Sequence, residues 1–178
     1  MDRITFEDKT FVKYIPGAAI DAAITSMARR INEDYKEDQP VFLITLNGAL
    51  FFAVDLLKQI KPEIYITTVK LSSYHGTTNS PEIKNVIGIN ENLKGKRVII
   101  LEDIVDTGAT YEYLVNKLNE QEVKDIRMAT LTFKPDCYTR PYPVHYAAFS
   151  IPPKFVIGRG LDYDGLGRNL PDIYQILV

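Results

Sequence analysis

Three carboxylates and a short hydroxyl-rich turn stand together in Val98-Ile99-Ile100-Leu101-Glu102-Asp103-Ile104-Val105-Asp106-Thr107-Gly108-Ala109-Thr110. Four apolar residues lead into the adjacent acids Glu102 and Asp103; Asp106 follows, and Thr107 to Thr110 open a helical stretch. A turn at a helix start offers backbone N–H groups, to which Thr107 and Thr110 add hydroxyls. Gly108 puts no Cβ in the way of a close-lying anion. These residues together suit a monophosphate. Carboxylates repel phosphate, so Glu102 and Asp103 need another task. Acceptors at a strand end suit sugar hydroxyls, or the water on a bound Mg²⁺. A phosphorylated ribose has all three parts at the right separation. Helix capping by Asp106 or Thr107 explains one of these residues. It leaves Glu102-Asp103, at the end of a buried strand, without a reason. The Gly-Lys-Ser/Thr of a Walker A loop and the dinucleotide-binding glycine pattern are both missing.

Such residues need a frame, and the apolar patterning supplies one. After Pro16, the residues Ile20, Ala23, Ile24, Met27, Ala28 and Ile31 recur on one helical face. Val41 to Leu46 is a continuous apolar run, as in a strand buried on both faces. Asn47-Gly48 punctuates it, and Ala49 to Ile60 reads as a helix stopped by Lys61-Pro62. Glu63 to Leu71 reads as a strand, and Ser72 to Ile83, rich in Ser, Thr, Asn and Gly, as a long mobile loop. Val98 to Leu101 is another strand, Tyr111 to Glu120 a helix, and Ile126 to Phe133 and Val144 to Ile151 later strands. Alternating strands and helices indicate an α/β fold with a mainly parallel sheet. Ligands of such sheets sit beyond the carboxyl ends of the strands, here after Leu46, Leu101 and Phe133.

Composition bounds the rest. The 178 residues are 46% hydrophobic and 25% charged, enough for one domain over residues 1–178. A net charge of -2 gives no reason to expect a nucleic-acid partner. The single cysteine, Cys137, excludes a disulfide framework and a multi-cysteine zinc site, and a reducing, cytoplasmic setting is the simpler expectation. His75 and His145 are not spaced as a metal pair. The longest uncharged run, Gln39 to Val54, is too short and too broken for a membrane span.

The Glu102 to Thr110 segment resembles the ribose-5-phosphate motif of the type I phosphoribosyltransferases: a hydrophobic strand, two acids, two apolar residues, then Asp-Thr-Gly-x-Thr. Other stretches are similar to the hypoxanthine (or hypoxanthine-guanine) branch of that family. Thr45-Leu46-Asn47-Gly48-Ala49-Leu50-Phe51-Phe52-Ala53 resembles the pyrophosphate loop and following helix, and Leu71-Ser72-Ser73-Tyr74 the closing loop. Ile151 to Gly158 and Leu161-Asp162-Tyr163 resemble the purine-binding end. The resemblance runs from about Phe6 to the C-terminus. It implies the type I phosphoribosyltransferase fold, a mainly parallel twisted sheet flanked by helices with a small purine-binding hood. Two positions depart from the pattern. Asn47 stands where a basic residue is frequent and Ala109 where a lysine sometimes occurs, although both act mainly through backbone groups in the family.

The implied reaction is purine salvage, joining hypoxanthine, or guanine, to C1 of 5-phosphoribosyl pyrophosphate (PRPP) with release of pyrophosphate. By the same resemblance, Glu102 and Asp103 hold the ribose diol and the shell of Mg²⁺, and Asp162 is the second magnesium ligand. Asp106 faces the imidazole edge of the purine as the catalytic acid–base. Thr107, Gly108, Ala109 and Thr110 bind the 5′-phosphate; Asn47, Gly48 and Arg168 bind pyrophosphate. Lys134 donates to the purine 6-oxygen, Phe155 stacks on the base, and Val156 meets it through its backbone. Ser73 and Tyr74 belong to the loop that closes over the sugar. Taken singly, Lys134, Asp162 and Arg168 read as surface charges and Phe155 as core. Family members are homodimers or homotetramers, so a second copy is the expected partner. Two alternatives keep the fold. One transfers to another base such as xanthine, which a turnover assay on each purine separates. The other is a nucleotide- or RNA-binding regulator, which calls for a basic face.

Overall fold

The computed structural model describes residues 2–6, 8–74 and 82–177. Its main sheet has six strands in the order β5-β4-β3-β6-β7-β8. These are β3 (Val41–Leu46), β4 (Tyr65–Tyr74), β5 (Glu82–Ile87), β6 (Arg97–Val105), β7 (Asp125–Phe133) and β8 (Tyr146–Ser150). All neighbours pair in parallel except β5, which runs antiparallel to β4. Three helices flank the sheet: α1 (Gly17–Asp34), α2 (Leu50–Leu57) and α3 (Ala109–Glu120).

The uninterrupted apolar strands follow from burial on both faces. Phe42, Ile44, Ile99 and Leu101 pack with Ile20, Ile24, Met27, Ala28 and Ile31 of α1 and with Phe52, Ala53 and Leu56 of α2. The alternate residues Val41, Leu43, Val98 and Ile100 pack with Tyr111, Leu114, Val115 and Leu118 of α3. Each Val, Leu, Ile, Phe or Met among these contributes about 1.5–3 kcal/mol by leaving water. Adjacent β3 and β6 send their following helices, α2 and α3, to opposite faces. The chain order therefore reverses between β3 and β6, and a crevice opens at their carboxyl ends.

A second, antiparallel sheet has the order β1-β2-β10-β9, from Arg3–Phe6, Lys9–Ile15, Ile173–Ile176 and Val156–Ile157. Phe11, Ile157 and Tyr174 form its core. Its strands are short, with two from each end of the chain, so sequence periodicity alone did not mark them. Among the described residues no helix is long and apolar enough to cross a membrane.

Three expectations change. Strand β6 does not stop at Leu101; it stays paired with β7 through Val105, so Glu102 and Asp103 lie within the ladder. The described residues of the expected loop from Ser72 to Ile83, 72–74 and 82–83, are strand. Ser72, Ser73 and Tyr74 pair with Lys84, Ile83 and Glu82, while 75–81 lie outside the described residues. Backbone pairing at a sheet edge overrides a polar composition there. Helix α2 ends at Leu57, where Gln59 and Ile60 turn back to Leu56 and Leu57 with tighter i→i−3 bonds.

Candidate active site

The crevice at the β3–β6 switch point holds two cavities of about 170 Å³ each. One lies over Asp106 to Thr110, the other over Thr45, Leu46, Gly48, Leu71 and Asp103, and Glu102 and Thr110 line both. A ligand with anionic groups at its two ends and acceptors required in the middle matches this division.

The first cavity is built by the turn from β6 into α3. Gly108 is the helix N-cap at φ 84°, and the Ala109 N–H at the start of α3 donates to Thr107 Oγ1 at 3.4 Å. A Cβ at Gly108 would meet the Tyr138 ring at 2.4 Å and Arg140 Cγ at 2.7 Å, so conformation and space both require glycine. The capping role considered for Asp106 is not what its side chain does. Lys134 Nζ donates to Asp106 Oδ2 at 2.6 Å. Lys134 is 9% exposed and is fixed at the end of β7, where its N–H donates to Val105 O at 2.9 Å. An ammonium and a carboxylate thus stand side by side at the rim of the α3 N-terminus.

Between the cavities, Glu102 is 6% exposed. Thr45 Oγ1 lies 2.6 Å from Glu102 Oε2 and 2.7 Å from Leu101 O. One hydroxyl proton serves one of these acceptors at a time. A neutral Glu102 removes the conflict, because its O–H donates to Thr45, which donates to Leu101. Burial, reinforced by Asp103, also pushes the Glu102 pKa up and favours that neutral form. Among the described residues the buried Glu102 Oε1 has no hydrogen-bond partner, so it has acceptor capacity for a ligand. The Asp103 carboxyl is pushed up mainly by burial, against the pull of its own N–H, that of Ile104, and Arg168.

The second cavity is bounded by the turn after β3. The Leu46–Asn47 peptide is cis, and Ala49 N–H donates back to Thr45 O at 3.1 Å. A Cβ on Gly48 would lie 1.9 Å from Asp103 Oδ2, so only glycine lets this turn approach the acid. The hood, formed by the second sheet and the turns between β9 and β10, reaches the same point. Gly160, at φ 108°, would carry a Cβ 1.9 Å from Gly48 O. Arg168 Nη1 donates to Gly160 O at 2.6 Å, and Arg168 Nη2 pairs with Asp162 Oδ1 at 2.7 Å.

A family model described as the phosphoribosyl transferase domain matches residues 16–164, most of this chain. The chain belongs to the phosphoribosyltransferase family. It is 36% identical over 146 residues to a hypoxanthine-guanine phosphoribosyltransferase of Streptococcus pyogenes, covering 82% of this chain and 81% of that protein. The corresponding protein of Streptococcus pneumoniae is 35% identical over 155 residues, 86% of each. A solved hypoxanthine-guanine phosphoribosyltransferase of Bacillus anthracis superposes with a TM-score of 0.88 at 30% identity, covering 93% of this chain and 98% of that one. The fold, with its parallel five-stranded sheet extended by antiparallel β5, is that of the type I phosphoribosyltransferases.

Within this phosphoribosyltransferase, the structure brings together Asp106, Lys134 and the Thr107–Thr110 turn, and separately Gly48, Asp103, Asp162 and Arg168. Asn47 is exposed at the turn after β3. Phe155 is 45% exposed and is not core; its ring packs at 6.3 Å from Phe11 and 6.0 Å from Tyr163 in the hood. Val156 is buried in β9, opposite Gln175. Ser73 and Tyr74 end β4 instead of lying in a loop. Among the described residues no three carboxylate, imidazole or thiol groups gather as a metal cluster, so Glu102, Asp103 and Asp162 do not close a site by themselves. Asp162 is occupied by Arg168 and by the Gly165 N–H at 2.7 Å. Sequence reading missed Thr45, a polar residue within an otherwise apolar strand, and that oddity was the available signal. It also missed Thr132, whose hydroxyl donates to Asp103 O at 2.9 Å and steadies the acid pair from β7.

Proposed function

We propose that this protein transfers the 5-phosphoribosyl group of PRPP to N9 of hypoxanthine, and of guanine, giving the nucleoside monophosphate and pyrophosphate. The Lys134–Asp106 pair carries this reading. A 6-oxopurine presents an acceptor, O6, beside a donor, N7–H, on one edge. Lys134 supplies the donor and Asp106 the acceptor, next to each other at the rim of the phosphate turn. Adenine would set its amino group against the Lys134 ammonium, at about 1–3 kcal/mol for each unsatisfied buried group.

The turn amides and hydroxyls of Thr107 to Thr110 hold the 5′-phosphate. Glu102 and Asp103 accept from the ribose hydroxyls, where the unpartnered Glu102 Oε1 fits a donor. The Asn47–Gly48 turn and Arg168 take the pyrophosphate, the guanidinium fork matching its oxygens. As the glycosidic bond lengthens, positive charge grows on the ribose ring and negative charge on the leaving group. Asp106 and the acid pair face the first, and Arg168 faces the second. Asp106 accepts the purine proton or holds it by a hydrogen bond. Mg²⁺ fits an acid pair with free acceptor capacity; Asp103, Glu102 and Asp162 would hold it through its water shell, and it would neutralise pyrophosphate charge. Because these residues do not close a metal site alone, substrate oxygens complete the shell.

The partner in solution is a second copy of the chain, as a homodimer or homotetramer. Leu50, Phe51 and Val54, exposed together on α2, support this, since grouped exposed apolar side chains mark interaction surfaces. Turnover with hypoxanthine, guanine, xanthine and adenine, each with PRPP and Mg²⁺, tests the assignment. Hypoxanthine should react fastest, and turnover should stop in excess chelator. Preference for adenine would overturn the assignment.

A further inference from the structure

Between β9 and Leu161 the hood makes a tight turn. Gly158 and Leu161 bond to each other in both directions, at 2.9 and 3.1 Å, around Arg159 and Gly160. Both central residues have positive φ, 53° at Arg159 and 108° at Gly160. A two-residue turn of this handedness strongly favours Asn, Asp or Gly at its first central position, because a long side chain is strained there. Arg159 is therefore held against its own backbone preference, and such positions persist where the side chain has a task.

The side chain shows the task. It is 14% exposed, and Nη2 forms ion pairs with Asp21 of α1 and with Asp55 Oδ2 of α2, the latter at 2.9 Å. One guanidinium thus joins the hood turn to two core helices. Helix α2 begins two residues after Gly48, so Asp55 belongs to the element that issues directly from the pyrophosphate turn. At the other end of the hood turn, Gly160 lies against Gly48 O so closely that no Cβ fits between them. The Gly160 N–H donates to Arg168 O at 2.9 Å, and Gly160 O receives Arg168 Nη1. Gly48 in turn lies against Asp103.

We propose that Arg159 is a positioning residue for pyrophosphate binding. By clamping its turn to Asp21 and Asp55, it presses Gly160 onto the Asn47–Gly48 turn and sets Arg168 on the pyrophosphate side of the crevice. Arg159 lines neither cavity of the crevice and acts through Gly160 and its anchors on α1 and α2. The inference rests on the assignment of the Gly48 turn to pyrophosphate.

Arg159→Asn is the deciding variant, because asparagine suits the positive φ and removes only the guanidinium. In ligand-free protein, hydrogen exchange at residues 46–50 should be faster than in wild type, with exchange in α3 unchanged. In steady-state kinetics the KM for PRPP should rise about 10- to 100-fold, the order of effect that displacing a binding group by up to 1 Å produces. The KM for hypoxanthine should not change, and Arg159→Lys should recover part of the loss. The double variant Asp21→Asn/Asp55→Asn should reproduce the effect and add nothing when combined with Arg159→Asn. Unchanged exchange at 46–50 overturns the proposal, as does an equal rise in both KM values. A wild-type protein without turnover would sink the functional assignment, while the exchange measurement would still decide whether Arg159 holds the turn.

Discussion

Asp106 shows most directly how a residue's surroundings decide its role. Its position before a helix fits a cap, yet Gly108 occupies the N-cap position of α3, Thr107 Oγ1 takes the Ala109 N–H, and the Asp106 carboxylate is bound by Lys134 at 2.6 Å. The two roles give different outcomes for Asp106→Asn. Asparagine caps as well as aspartate, so a cap would lose little. An amide cannot accept the purine proton, so loss of a general base lowers turnover by roughly 10²–10⁴-fold. We expect the larger loss, with PRPP affinity nearly unchanged because the Thr107–Thr110 turn remains. Calorimetric titration with PRPP and a melting curve beside the kinetics separate this from misfolding. Near-normal turnover would remove Asp106 from the chemistry. The type and order of these residues were legible in the sequence. The Lys134 contact was not, because 28 residues of chain separate the partners and only the β6–β7 register brings them together.

At the scale of elements, strands β3 and β6 were readable because burial on both faces leaves only apolar residues, and α1 because its apolar residues keep one face. The hood strands were not, since short antiparallel pieces from distant chain segments carry no local period. The end of β6 was misjudged for a physical reason. Charge signals a strand end, yet here the strand carries its acids inward, and Glu102 pairs in register with Thr130. That has a cost measurable without substrate. The folded-state pKa of Glu102 is raised, chiefly by burial and then by Asp103. The folded protein therefore holds the proton more tightly than the unfolded chain, so Glu102 lowers stability as pH rises from the ordinary carboxylate range through the folded pKa. Glu102→Gln offers Thr45 an amide N–H in place of the carboxylic O–H and removes the charge. In chelator-treated, ligand-free protein it should melt higher than wild type at pH 8, by about 2–4 °C for each kcal/mol of relieved charge burial. The difference should vanish by pH 4. A variant that melts lower at every pH would show that Glu102 is stabilising as it stands.

The whole molecule depends on how the hood is seated, because its Gly160 and Arg168 complete one side of the crevice that the core opens. Only Pro16 separates β2 of the hood from α1 of the core, and Asp172, just before β10, closes the joint from the other end of the chain. Its Oδ1 accepts the Gly17 N–H at the start of α1 at 2.7 Å, and its Oδ2 pairs with Lys13 of β2 at 2.8 Å. Its backbone carbonyl also lies where a Cβ on Gly158 would be, at 2.1 Å. The carboxylate is thus held between a lysine and a helix N-terminus, both of which favour its charged form. Lys13, then the Gly17 N–H, draw the Asp172 pKa below the usual value. A depressed folded pKa contributes stability that is present above the unfolded value and is lost as pH falls through the folded one. Asp172→Asn keeps an acceptor for Gly17 and loses the ion pair with Lys13. At pH 7 it should be less stable than wild type, because Lys13 loses the carboxylate it pairs with. Denaturant melts should show that gap at pH 7 and its narrowing as pH falls below the usual carboxylate range through the depressed folded-state value. Because Asp172 acts through the seating of the hood, PRPP affinity should weaken along with stability. A variant as stable as wild type at pH 7 would mean that hood and core are held by their apolar contacts alone, and that the Lys13–Asp172 pair is incidental to the joint.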